Sequence, residues 1–162
     1  MHTQPLKECL LLYISAIQVA RLAGFSPIIV TASLRNEDLL KSYGATHVID
    51  RTLKGPELIA MAQEIARKPI QLVYDAISLP DTQNVAYDVL SSGGTLFSSL
   101  PPTINQSNIV PDKKAVFISG QVDYPEYAAI DTEFFAIFGE YLKSGEIKVM
   151  HSSCRCTNID IL

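Results

Sequence analysis

Ser33, Arg35 and Arg51 are the residues of this chain whose type and spacing point most directly to chemistry. Ser33 and Arg35 follow the short β-branched run Pro27 to Ala32 (PIIVTA), and Arg51 follows Thr46 to Ile49 (THVI) after a single aspartate. A hydroxyl and two guanidinium groups at the ends of neighbouring strands suit a phosphoryl group, because arginine offers paired N–H donors to phosphate oxygens. A strand end meant for an unphosphorylated ribose carries an acid instead, and none stands at the end of PIIVTA. Taken singly, each arginine reads as a solvated surface residue; only the adjacency of the two strand ends gives them a shared role.

Other constellations have less to support them. His151, Cys154 and Cys156 form H-x-x-C-x-C near the C-terminus, one ligand short of a structural zinc site, so no metal ligands are assigned. Ser91-Ser92 and Ser98-Ser99 lack the strand-to-helix elbow of a hydrolase nucleophile. His47 falls inside a predicted strand and reads as a structural or surface histidine rather than a catalyst. Tyr74-Asp75 could pass for an acid/base pair, but Asp75 reads better as a loop residue at a ligand groove. Phe134, Phe135, Phe138 and Tyr141 form a stripe expected in the core. No catalytic residue is assigned.

The elements that must position Ser33, Arg35 and Arg51 alternate in type. Predicted strands at Pro27 to Ala32, Thr46 to Ile49, Ile70 to Ile77, Thr95 to Leu100 and Ala115 to Val122 are separated by predicted helices. The helices cover Asn36 to Tyr43, with Asn36 as an N-cap, then Pro56 to Arg67, Asp81 to Leu90 and Glu126 to Leu142, and Glu146 to Val149 is a candidate further strand. Short strands joined through helices demand a parallel sheet covered on both faces. The expected fold is therefore α/β: a doubly wound, Rossmann-like sheet. In such sheets ligands sit beyond the carboxyl ends of the strands. That places Ile77, Ser78 and Leu100, after the third and fourth strands, beside the same groove, although serine and proline there are also ordinary loop residues.

At 162 residues and 48% hydrophobic content the chain is long enough for one real core and too apolar for intrinsic disorder. Its net charge of −4 argues against nucleic acid as a partner. Three cysteines are too few for a disulfide framework. The apolar run near the N-terminus is interrupted by Gln18 and Arg21, too short for a membrane span and without the basic flank of a signal peptide. A cytoplasmic location is expected.

Four stretches resemble a known family: Ala16 to Gly24 (AIQVARLAG), Ile28 to Asp50 (IIVTASLRNEDLLKSYGATHVID), Val73 to Gly94 (VYDAISLPDTQNVAYDVLSSGG) and Glu140 to Val149 (EYLKSGEIKV). They are similar to the cofactor-binding domain of medium-chain dehydrogenases/reductases, the zinc-type alcohol dehydrogenase and quinone or enoyl reductase superfamily. The TAS-x-RN wording resembles the NADPH-linked enoyl-reductase branch, which usually lacks catalytic zinc. The resemblance implies NADPH as cofactor, no zinc, and hydride transfer between the nicotinamide and a carbonyl or activated alkene. It implies cofactor contacts at Ser33, Arg35, Arg51, Ile77, Ser78 and Leu100.

The chain departs from that family at its ends. The family's first strand closes in a glycine-rich turn that opens the helix holding AIQVARLAG. Here the preceding residues are Leu6 to Ser15 (LKECLLLYIS), with no glycine before Gly24. One long helix from about Leu6 to Ala23 is expected, with a strand at Cys9 to Tyr13 as the alternative. If the helix forms, the sheet lacks its usual first, central strand, and the strands at Ile28 and Leu72 must pair directly or leave a gap. The expected organisation is a helical leader over 1–14, a partial Rossmann-like domain over 15–149 and a divergent, disordered tail over 150–162. No counterpart of the family's catalytic GroES-like domain precedes residue 15, and both ends look like products of truncation, alternative splicing or a faulty gene model.

The expected function is thus an NADPH-binding reductase domain, weak or inactive as this chain alone, with an unidentified small-molecule substrate. The alternative is an inactive remnant or a module that pairs with another reductase subunit, or with itself as a homo-oligomer, through an exposed sheet edge.

Overall fold

A computed structural model describes residues 5–118 and 128–149, with side chains described from residue 14 in the first helix and from residue 132 in the last. These residues fall into two compact units divided after Ile118.

The first unit opens with helix α1, Pro5–Leu22. Nothing between Leu6 and Gly24 can form a tight turn, and the helix runs unbroken until Gly24, at φ +79°, ends it. The single helix is therefore adopted and the strand at Cys9 to Tyr13 is not. Strand β1, Ile29–Ala32, follows and pairs in parallel with β2, His47–Asp50. Their register begins with Thr46, whose hydroxyl donates to the carbonyl of Ile28 and accepts from its N–H, both at 2.9 Å.

Between them lies a 3₁₀ turn at Leu34–Asn36 and helix α2, Glu37–Tyr43. Glu37 and Asp38 occupy the first turn of α2, where the helix dipole favours acids. Asn36 sits at the N-cap position, but its side chain makes no capping bond. That corrects the expected cap: the preceding 3₁₀ turn already delivers the chain in a nearly helical conformation, with Asn36 at φ −98° and ψ 4°. Gly44, at φ +123°, closes the helix with its N–H on Leu40 and Lys41.

Helix α3, Gly55–Ala66, has Pro56 in its first turn and carries the chain to β3, Leu72–Asp75. Helix α4, Pro80–Val89, leads to β4, Thr95–Ser98. After the loop that holds a 3₁₀ turn at Gln106–Asn108 comes β5, Lys114–Phe117. Strands β3, β4 and β5 form one parallel sheet in that order, with Asp75, Ser98 and Phe117 in register.

Parallel strands joined through helices make this the expected α/β, Rossmann-like fold, but in two pieces. The pair β1-β2 and the trio β3-β4-β5 are separate sheets. Between them lies a cavity of about 610 Å³, lined by Ile17 and Ala20 of α1, Ile29 of β1, Ala62 of α3, Val73 of β3 and Val85 of α4. This is the gap anticipated where the first strand of such a sheet normally runs. The core forms two clusters. Ile49, Ala62 and Val89 make up one and line the cavity. Tyr87, Leu90, Leu96 and Ile104 make up the other, with Leu96 wholly excluded from solvent. Burying a leucine of that kind is worth about 1.5–3 kcal/mol.

In the second unit, helix α5 spans Ala128–Ser144, and Gly145 at φ +77° follows it. Two expectations change here. Glu146 to Val149 form no strand. The aromatic stripe is only partly covered: Phe134 and Phe135 are exposed, Phe138 and Tyr141 are half-buried, and Phe134 stacks on Phe138 with ring centroids 5.4 Å apart. The predicted tail over 150–162, with its H-x-x-C-x-C sequence, lies outside the described residues.

Candidate functional site

The carboxyl ends of β1 and β2 lie side by side. Ala32 and Asp50 are register partners, and the N–H of Arg51 donates to the carbonyl of Ala32 at 3.1 Å. Ser33 therefore leaves β1 next to the point where Arg51 leaves β2. Arg35 sits two residues further on, exposed, within the 3₁₀ turn, while Ser33 and Arg51 are half-buried. The structure thus brings Ser33, Arg35 and Arg51 onto one edge of the molecule.

Two more groups belong to this edge. Asp50 places a carboxylate near Arg51. The N–H of Thr52 donates to its Oδ1 at 2.9 Å and, with the Thr52 hydroxyl and the charge of Arg51, holds its pKa below the usual carboxylate value. Asn36 has a buried Nδ2 with no acceptor within reach. A buried, unpartnered amide donor is costly and uncommon in folded proteins.

Ile77, Ser78 and Leu100 stand after β3 and β4, in the other sheet. Ile77 is half-buried and Leu100 exposed. Ser78 is buried, and its groups are engaged within the protein. Its hydroxyl donates to the carbonyl of Asp75 at 2.7 Å and accepts from the N–H of Ser99 at 2.8 Å. Its backbone sits at φ +56°, a left-handed conformation that non-glycine residues seldom adopt. Asp75 holds it there. One carboxylate oxygen accepts from the N–H groups of Ile77 and Ser78, each at 2.9 Å, and the other accepts from the Thr82 hydroxyl at 2.7 Å. Ser78 thereby shapes the turn that holds Ile77. Likewise the Ser98 hydroxyl donates to the carbonyl of Leu100 at 2.8 Å and fixes the turn beyond β4.

The sequence marked Asp75 as a groove or turn residue but gave no role to Thr82, Ser98 or Ser99. The signal for Asp75 was its type: aspartate at a strand end, followed three positions on by serine, is suited to local side-chain-to-backbone bonding. His47 is exposed, with Nδ1 3.0 Å from the Thr46 hydroxyl. Among the described residues no three of His, Cys, Asp and Glu gather as a metal centre. No helix among them is long and apolar enough to cross a membrane.

The sequence profile of the zinc-binding dehydrogenases matches residues 14–119, which include every element from β1 to β5. This chain belongs to that family. The medium-chain dehydrogenase/reductase resemblance read from its motifs is thereby established. The family member is 35% identical over 124 residues to the trans-enoyl reductase tasC of Hapsidospora irregularis, an alignment covering 76% of this chain and 31% of the relative. It is 35% identical over 88 residues to the trans-enoyl reductase cghC of Chaetomium globosum, covering 54% of this chain and 23% of the relative. The chain thus spans about a third or less of these curated relatives. Among solved structures, its fold is similar to mycobacterial Rv1454c complexed with NADPH, with a TM-score of 0.70 at 21% identity, over 85% of this chain and 43% of that one. It is also similar to the nucleotide-binding subdomain of the enoylreductase domain of PpsC from Mycobacterium tuberculosis, with a TM-score of 0.60 at 13% identity, over 85% of this chain and 79% of that one.

Proposed function

We propose that this chain is an NADPH-binding domain of an enoyl-reductase-type oxidoreductase. The observation that carries the reading is the bond between Arg51 and Ala32, which sets the ends of β1 and β2 side by side with Ser33, Arg35 and Arg51 around them. The residues fit a 2′-phosphorylated ribose better than a plain one, since two guanidinium groups and a hydroxyl favour the added charge. The orphaned Nδ2 of Asn36 is a further donor in want of an acceptor. Ile77 and Leu100 would flank the nicotinamide half, with Ser78 shaping the turn beneath. When bound, the cofactor supplies the hydride chemistry; the described residues bind and orient it.

One part of the expected cradle is missing. Helix α1 runs without a break from Pro5 to Leu22, so no glycine turn aims helix N–H groups at a pyrophosphate there. We therefore place the affinity of this chain in the micromolar range or weaker, and its turnover, if any, as slow. The substrate class, a carbonyl or activated alkene, and a cytoplasmic location belong to the same proposal. Titrating the full chain with NADPH and NADH, followed by nicotinamide fluorescence, tests it. Saturable NADPH binding with weaker NADH binding supports the reading, and absence of both, or a preference for NADH, refutes it.

A second reading rests on the cavity between β1 and β3. Two strands in separate sheets, facing an apolar gap, suit a module that completes its sheet with a segment of another reductase subunit or a second copy. Light scattering after size exclusion separates the two readings: a concentration-independent monomer that binds NADPH favours the first, and a stable assembly without cofactor binding favours the second.

A further inference from the structure

Helix α4 carries a glutamine on its apolar face. Gln83 aligns with Tyr87 and Leu90 at i, i+4 and i+7, and it is wholly buried. A buried amide is costly unless its hydrogen bonds are made, and those of Gln83 are. Nε2 donates to the carbonyl of Ser78 at 2.9 Å and to that of Pro101 at 3.2 Å. Oε1 accepts from the N–H of Thr103 at 2.6 Å and from its hydroxyl at 3.1 Å.

These partners belong to two different loops, one after β3 and one after β4. Closer to the strand ends the same loops are joined by Ser99, whose N–H donates to the Ser78 hydroxyl and whose hydroxyl donates to the carbonyl of Ala76, both at 2.8 Å. Gln83 ties them again beyond that point, where Leu100 turns into Pro101. Replacing it by an apolar residue of equal length would strand two carbonyls and one N–H. The loops would then part to reach water.

We propose that Gln83 is a positioning residue that sets the separation of the Ile77 and Leu100 turns, and thereby the width of the groove for the nicotinamide half of the dinucleotide. The proposal rests on the cofactor reading above. Its effect is local, because Ser33, Arg35 and Arg51 stand on the ends of the other sheet.

The test uses the full chain and Gln83→Met, titrated with NADPH and with adenosine 2′,5′-bisphosphate, a fragment that lacks the nicotinamide half. NADPH should bind about tenfold more weakly to the variant and lose its fluorescence enhancement, while the fragment binds within about twofold of wild type. Parallel weakening of both ligands, or no change in either, overturns the proposal. Should Gln83→Met fail to fold, Gln83→Glu carries the test, since it keeps the acceptor for Thr103 and loses both donors. A wild-type chain that binds neither ligand overturns the cofactor reading instead. The tie is then judged by hydrogen exchange in Gln83→Met: acceleration at Thr103 without change at Leu96 sustains it, and unchanged exchange at Thr103 refutes it.

Discussion

The N–H of Arg51 donates to the carbonyl of Ala32 across the ends of two parallel strands, at 3.1 Å. That bond makes one edge out of Ser33, Arg35 and Arg51, although Arg51 lies far from the other two along the chain. If the edge receives a 2′-phosphate, Arg35→Ala and Arg51→Ala should each weaken NADPH binding about tenfold, or ~1.4 kcal/mol. NADH binding should change by less than about twofold, and added salt should narrow the difference. Calorimetric titration at two ionic strengths checks all three. Equal losses for NADPH and NADH would place the arginines away from the phosphate.

Gly94 is required for packing. A Cβ there would lie 2.9 Å from Leu90 Cδ2, 2.9 Å from the Ser91 carbonyl oxygen and 3.2 Å from that of Ile70. Two of those atoms are backbone and cannot rotate away. Gly94→Ala should therefore destabilise the first unit by about 1–3 kcal/mol. Urea denaturation measures the change, and a variant as stable as wild type would show that the entry to β4 can relax.

The cavity between the sheets makes the opposite prediction. Ala20 is half-buried on α1 and lines the gap, so Ala20→Leu should fill part of it and stabilise by about 0.5–2 kcal/mol. Thermal melting of the full chain reads the effect. Destabilisation would mean that the gap is already filled in solution.

Acid should remove one surface contact. The Ser92 hydroxyl donates to Asp112 and is the main cause holding that carboxyl below its usual value of 3.8. A carboxyl with a lowered folded-state pKa stabilises the fold above its unfolded value and loses that contribution as pH falls through the folded one. Wild type should therefore exceed Ser92→Ala in stability at neutral pH, and the gap should close as pH drops below about 3.8. A gap that is constant with pH would detach Ser92 from the titration.

Much of this arrangement was legible in the residues. The β-branched run at Ile28 to Ala32 and the apolar spacing from Leu58 to Ala66 each depend on local periodicity, and each produced its element. The fused helix was legible from an absence, since no residue between Leu6 and Gly24 favours a tight turn. It carried the gap in the sheet with it. The site was legible only in outline. Ser33, Arg35 and Arg51 follow strand ends, and parallel pairing fixes where strand ends go. Ser78 was named on the same ground, but its bond to Ser99 and those of Gln83 were not legible, because they join loops about 20 residues apart. The aromatic stripe of α5 shows the same boundary. Spacing tells which residues share a face, but Phe134 and Phe135 are exposed because nothing in that spacing specifies a covering partner.

The most direct measurement is amide chemical-shift mapping of the full chain with adenosine 2′,5′-bisphosphate. Cofactor binding at the ends of β1 and β2 requires saturable shifts concentrated at Ser33, Arg35, Asn36 and Arg51, with little change along β5. Shifts spread over other surfaces, or none at millimolar ligand, would contradict it.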